Sequence, residues 1–412
     1  MRPHTTPGKN SVHPAEHPAF CDMRLLYVLH QTPATDGSSK AFMALLKEVM
    51  GKGIEPYVVL PDRRGLYPIL AIMGIPTLIC TYRNNIFPHC RTIKETFLFL
   101  PRLTAKLLCN RVAVWRITHY AKANAIDLIH TNVSVVNVGF CAAQRLGIPH
   151  VYHIREYADL IGMRYFPHKA SFIRQLTAPL SYTICITKDI RRHYGLERYG
   201  NAAVIYDGLC HPLPAYPQTP REGYLLYVGR IEPIKGLEHL LHAYALYLAN
   251  TTRTKALPLY VAGKVSDEAF AKDMERYVSK HDMERKVMFL GHRDDIENLM
   301  EKATALVVPS LMEGFGFCMP EAMFHGCLVI AYNQKGTKEQ LDNGLQLTGQ
   351  DIALRYEKTE ELTKLLTFVT ENPSGSFDDY RQRAFRVVNT LYTIEENARQ
   401  VVQFYKLAMN RQ

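Results

Sequence analysis

Two glutamates eight residues apart, Glu313 and Glu321, flank a Gly-Phe-Gly turn in "VVPSLMEGFGFCMPEAMFHGCLVIA", residues 307–331. The stretch opens as an apolar strand and closes as a short helix, with Pro320 expected at the first helical position and Gly326 at the end. A glycine turn facing a helix N-terminus offers unpaired backbone N–H groups to a phosphate or an oxyanion. Glu321, in the first turn of that helix, can accept hydrogen bonds from a ribose diol, and Glu313 can do the same for a second hydroxylated ring. From spacing alone, it is equally reasonable for Glu321 to be a favourable helix-terminal charge and for Glu313 to be solvated.

A second stretch shifts that balance. In "YVGRIEPIKGLEHLLHAYA", residues 227–245, Arg230 follows a strand, and Lys235 and Gly236 stand at the mouth of a helix. Leu237, Leu240, Leu241 and Tyr244 keep helical spacing. Singly, each cation is an ordinary surface charge. Two cations at a strand-to-helix loop suit a diphosphate, arginine by bidentate contact and lysine as a point charge. Combined with a Gly-Phe-Gly turn from another strand of the same sheet, they favour a diphosphate site.

The elements that must position these residues are legible as alternating strands and helices. "MRLLYVLHQ" (23–31), "IEPYVVLPD", "DLIHTN" (127–132), "HVYHIRE" (150–156) and "YTICITK" (182–188) form one series. "YLLYVGR", "LPLYVAG", "KVMFLG", "ATALVVPS" and "CLVIAYN" form another. Such alternation implies parallel sheets covered on both faces, hence an α/β chain of two Rossmann-like, doubly wound domains with a cleft at the strand C-termini. The expected boundaries are a disordered Pro- and His-rich leader at 1–22, a first domain at 23–205, and a proline-rich connection at 206–222. A second domain follows at 223–392, with a final amphipathic helix at 393–412.

Composition sets limits on partners and compartment. The chain has 412 residues, 47% hydrophobic and 21% charged, enough for a large core. Lys and Arg outnumber Asp and Glu by 49 to 39, and the net charge of +10 favours an anionic partner: nucleic acid, an acidic lipid surface or a phosphorylated metabolite. No nucleic-acid reader motif is present, so nucleic acid is not expected as a partner. The nine cysteines have no C-x-x-C or zinc-type spacing, which fits reduced thiols in a cytosol. The first 20 residues lack the apolar core of a signal peptide and no apolar run approaches ~18 residues, so a cytoplasmic chain, soluble or peripheral on a membrane, is expected.

Together, "GRIEPIKGLEHLLHA" and "PSLMEGFGFCMPEAM" resemble the signature of the retaining, nucleotide-sugar-dependent glycosyltransferases of family 4, group 1 enzymes of GT-B fold. Glu313 and Glu321 match that family's E-x7-E element. The resemblance extends through "VAG", "VMFLGHRDD" and "NQKGTKEQL" over nearly all of the second domain. It is looser in the first, through "DGSSKAFMALLKEVMGKG" and "LIHTN...GIPHVYHIREY". It implies that Arg230 and Lys235 hold a donor diphosphate. Glu321 would bind the ribose, while Glu313 and the backbone at Phe315, Gly316 and Phe317 would meet the donor sugar. His292 and Arg293, within Gly291–Asp294, would lie near the base. His153 would sit beside the transferred sugar, and Gly37, Ser38 and Ser39 would face the diphosphate across the cleft. The final helix would strap back over the first domain.

Three positions depart from the family pattern. Asp36 precedes Gly37 where paired glycines are usual, Phe317 stands where a small aliphatic is common, and Asp207-Gly208 replaces an Asn-Gly, a change expected to affect only a turn. No Asp-x-Asp occurs in the chain, so no metal or other cofactor is expected. The resemblance implies retention by front-face attack, with the leaving phosphate helping to accept the acceptor's proton and Glu313 positioning the sugar. Residues 91–124 hold seven Lys/Arg against one Glu, mixed with Phe, Leu, Val and the only Trp. They suit either an anionic membrane interface or a pair of helices packed on the sheet with a basic solvent face. The first case implies a lipid-linked saccharide acceptor, as in cell-surface polysaccharide synthesis. The rival roles for such a fold are a non-catalytic sugar-nucleotide-binding subunit or sensor, and a phosphorylase or epimerase.

Overall fold

The computed structural model describes residues 23–30, 33, 37–88, 93–160, 162–251 and 255–410. The leader at 1–22 and Asp36 lie outside them. The first sheet is parallel and seven-stranded. Its strands are β1 (Met23–Val28), β2 (Ile54–Leu60), β3 (Thr77–Ile79), β5 (Leu128–Thr131), β6 (His150–Ile154), β8 (Ser181–Cys185) and β9 (Ala202–Val204), in the order β3-β2-β1-β5-β6-β8-β9. A small antiparallel pair, β4 (Ile86–Pro88) with β7 (Met163–Tyr165), stands apart from it. The second sheet has six parallel strands in the order β12-β11-β10-β13-β14-β15. They are β10 (Leu225–Val228), β11 (Leu259–Ala262), β12 (Val287–Gly291), β13 (Ala305–Val308), β14 (Leu328–Tyr332) and β15 (Leu354–Tyr356).

Helices cover both faces of each sheet, which is why the central strands carry consecutive buried residues, most of them apolar. In β1, Leu25, Leu26, Tyr27 and Val28 are all fully buried. One continuous apolar cluster runs from Ile154 and Ile190 in the first domain to Phe315, Met319 and Tyr392 beyond the cleft. The two domains are therefore joined by apolar packing. The last helix, Ile394–Met409, packs on Gly37–Met50 and places Val401, Phe404 and Tyr405 in the core around β1. Tyr405 Oη lies 2.6 Å from Nδ1 of the buried His130 on β5.

Two local expectations change. The segment read as a possible pair of helices is one helix, Ile93–Ala123, with Pro101 inside it. The helix after the Gly-Phe-Gly turn begins at Cys318, so Pro320 occupies its third position, still within the first turn, where no internal N–H bond is lost. Among the described residues, no helix is long and apolar enough to cross a membrane.

Candidate active site

The second domain supplies one wall from two neighbouring strand ends. After β10 the chain makes a 3-10 turn, Pro233–Lys235, and passes through Gly236 at φ +72°. A Cβ at Gly236 would lie 2.0 Å from the Pro309 carbonyl oxygen, so only glycine lets this loop cross the end of β13. Leu311 N–H donates to Ile234 O at 3.0 Å and ties the two loops together. Lys235 is thereby aimed at the opening glutamate, and its Nζ donates to Glu313 Oε1 at 2.8 Å. Arg230 faces solvent, within 2.8 Å of Glu232 Oε1.

The turn itself is held from beneath by Lys335–Thr348. Gly336 N–H donates to Glu313 O at 3.2 Å, and the Gln340 side-chain amide donates to Phe315 O. A Cβ at Gly336 would come 2.6 Å from Gly314 O, so a small residue is required where the helix meets the turn. Phe315 is buried between Tyr206, Phe317 and Tyr392, which leaves only its backbone to the site. The helix Cys318–Phe324 has no side-chain cap; Met319 N–H donates to Gly316 O at 3.4 Å and Pro320 has no N–H to offer.

Glu321 shares a cavity of about 230 Å³ with Gly37, Lys40, Gly208 and Phe317. A Cβ at Gly37 would lie 3.3 Å from the Phe317 ring, so the first-domain loop faces the Gly-Phe-Gly-Phe segment directly. Burial pushes the Glu321 carboxyl above the usual glutamate range; Lys40 and His325 pull it back, and Glu297 adds to the rise. The carboxylate is the form that best accepts from a hydroxyl pair. Affinity for a nucleotide is therefore expected to fall as pH drops through a midpoint above 4.5, the ordinary glutamate value. Titration calorimetry across pH should show this midpoint in the parent chain and a flat profile there in Glu321→Gln. Equal profiles would separate Glu321 from binding.

On the first-domain side, β6 ends against the glutamate turn. A Cβ at Gly314 would lie 2.4 Å from Arg155 O. The Arg155 guanidinium is buried, ion-paired to Asp207, and lies 3.3 Å from Asn132 Oδ1 and 3.2 Å from His153 Nδ1. Asn132 Nδ2 also donates to Ser38 O at 3.4 Å. His153 is wholly enclosed. Burial, then the charges of Arg155 and His130, hold its imidazole well below its usual pKa, hence neutral. Among the described residues its Nε2 has no hydrogen-bond partner, and it stands 3.8 Å from Asp207 Oδ1. The expectation that Asp207 alters only a turn is thus corrected: it neutralises a buried arginine beside the cleft.

A further carboxylate joins the domains. Glu339 accepts from Lys188 N–H at 2.7 Å, Asp189 N–H at 3.0 Å and Tyr206 Oη–H at 2.8 Å. The first two amides open the helix Lys188–His193, so a second-domain acid caps a first-domain helix.

His292 and Arg293 are not brought into this constellation. They follow the edge strand β12, are exposed, and approach Asp294 at 3.5 Å and Asp295 at 2.7 Å. Glu48, His211 and Glu395 hold potential metal-ligand atoms within 4.8 Å of one another, outside the site above. Asn132, Arg155, Glu339 and Gln340 are not singled out by the sequence, and Asp207 is read there only as part of a turn. The signal was present in "HIREY" and "NQKGTKEQL", but nothing local says that those acids and cations are buried.

Comparison with known proteins agrees with this architecture. Residues 215–384 match the family described as glycosyl transferases group 1. An uncharacterized glycosyltransferase of Methanocaldococcus jannaschii is 26% identical over 227 residues, 54% of this chain and 60% of that protein. O-antigen chain mannosyltransferase B of Escherichia coli is 33% identical over 146 residues, 35% of this chain and 37% of that protein. The chain thus spans about a third to three-fifths of these curated relatives. The structure of Anabaena HepE in complex with UDP-glucose superposes with a TM-score of 0.70 at 18% identity, covering 93% of this chain and 100% of that one, which shows the GT-B fold.

Proposed function

We propose that this chain, a group 1 glycosyltransferase in its second domain and GT-B in fold, moves a hexose from a nucleotide-diphosphate sugar to an acceptor hydroxyl with retention of configuration. The acceptor is a saccharide or lipid-linked saccharide, in cell-surface polysaccharide synthesis. The observation that carries this reading is convergence: Lys235 on Glu313, and Gly37 with Phe317 and Glu321 around one cavity.

In this reading, Lys235, Arg230 and the N-terminus of Cys318–Phe324 stabilise the charge that grows on the departing diphosphate, with no metal required. Glu321 holds the ribose, and Gly37 and Ser38 face the diphosphate from the other domain. Glu313 orients the sugar from the turn of Phe315, Gly316 and Phe317. His153, neutral and with Nδ1 accepting from the Arg155 guanidinium, carries its proton on Nε2, which is suited to donate to a sugar hydroxyl. His292 and Arg293 would need the base to extend to the sheet edge. The outer face of Ile93–Ala123 would rest on an anionic membrane surface, on the cytoplasmic side.

A thermal-shift screen of UDP-, GDP- and ADP-sugars tests the donor site. One nucleotide is expected to raise Tm in the parent chain by mass action, and Glu321→Ala to lose that rise. Transfer with the matching donor, measured with and without chelator, then tests turnover and metal independence. No response to any nucleotide sugar would sink the reading.

A further inference from the structure

A cavity of about 630 Å³ lies in the first domain, away from the glutamates. It sits at the C-terminal ends of β1, β2 and β3, the same end of the sheet that carries Gly37 and Arg155. Three cations line it: Arg64, Arg83 and Lys106. Asp62 offsets the first, at 2.6 Å from Arg64. Among the described residues, no carboxylate lies within ion-pair distance of the other two.

Lys106 is held through its ammonium and Arg83 through its backbone. The Asn110 side chain accepts from Arg83 N–H at 2.8 Å and donates to Arg83 O at 3.0 Å, fixing the backbone from the helix Ile93–Ala123. Lys106, from the same helix, donates to Ile86 O at 2.8 Å and sits 3.5 Å above the Phe87 ring centre. Burial and the charge of Arg83 pull the Lys106 ammonium down to about 8. A partly buried ammonium held by other contacts, beside an exposed arginine and with no carboxylate within ion-pair distance of either among the described residues, forms a site whose repulsion an anion relieves.

We propose that this cavity seats a phosphate group of the acceptor, held by Arg83 and Lys106. The acceptor is then a phosphate-bearing molecule, either free or lipid-linked. The proposal rests on the glycosyltransferase reading above only for the word acceptor; the anion site stands on the cations themselves. Every residue lining the cavity belongs to the first domain, which separates it from the donor wall of Lys235, Glu313 and Glu321. The other face of the helix that carries Lys106 exposes Phe97, Leu100, Leu108, Val112 and Trp115, from 58% to 79% accessible, with Arg102, Arg111 and Arg116 among them. Lipid-borne phosphate therefore has to be one arm of the test.

The full chain is titrated with inorganic phosphate by calorimetry, and floated with phosphatidylcholine vesicles containing farnesyl phosphate or farnesol. Arg83→Gln and Lys106→Met are each expected to weaken both phosphate probes by about 10- to 100-fold, the worth of one or two charge-assisted bonds. Nucleotide-sugar affinity should stay unchanged, and Lys235→Met should do the reverse. Tighter binding to farnesyl phosphate vesicles than to free phosphate identifies a lipid-linked acceptor; equal binding identifies a soluble one. Phosphate binding that survives in both variants overturns the proposal. If Lys106→Met does not fold, the exposed Arg83→Gln carries the test alone. Loss of all nucleotide-sugar binding in the parent, with phosphate binding still dependent on Arg83, would overturn the transferase reading and leave the anion site standing.

Discussion

Glu313→Gln is expected to slow sugar transfer by about 10²- to 10³-fold, the usual consequence of removing one preorganised polar group from a transition-state site. The nearly isosteric amide can still accept from Lys235, so the turn should keep its shape and the fold its stability. What disappears is a negative charge, held 2.8 Å from the Lys235 ammonium and largely screened from solvent. Freed of that partner, Lys235 should hold a bare nucleoside diphosphate as well as before or better. The expected pattern is therefore a fall in kcat with an unchanged or lower Kd for the nucleotide, which separates a sugar-orienting role from simple donor affinity. A variant with parental kcat would place Glu313 outside the reacting centre.

The largest stability effect is expected at Asp207. Its removal takes away the ion-pair partner of a buried Arg155 guanidinium that also meets Asn132 and His153, and breaking such a pair from one side costs about 3–5 kcal/mol. Asp207→Ala should lower the urea midpoint accordingly. Replacing both partners, as in Arg155→Met with Asp207→Leu, should recover much of that stability, because no charge is then stranded. Activity should not return with it: the Arg155 carbonyl abuts Gly314, and the arginine holds the strand end between His153 and the glutamate turn. A single variant as stable as the parent would mean that water reaches Arg155 and that the pair is not buried in solution.

Much of the architecture was legible because it is local. Strands covered on both faces must be apolar at consecutive positions, and β1, β10 and β13 are. The Gly-Phe-Gly turn between two acids, and Lys235 before a glycine, are likewise short-range patterns whose chemistry follows from spacing. The limit appears where a charge depends on a distant partner. Arg155 meets Asp207 across 52 residues, and Lys188 meets Glu339 across 151. Read along the chain, each is an ordinary polar residue.

Sequence by itself determined two parallel α/β series, the E-x7-E turn and the cations near it, since periodicity and turn chemistry act within a few residues. Only the tertiary structure decided which acids are buried, that Glu339 caps a helix of the other domain, that Arg83 and Lys106 share a cavity, and that His292 and Arg293 stay at the sheet edge. The outer apolar stripe of Ile93–Ala123 belongs to the same class, because a helix pattern says which residues share a face but not which face is covered. The physical reason is common to all of these. Burial and charge pairing depend on distances through space, and those exist only once both domains have packed on one another.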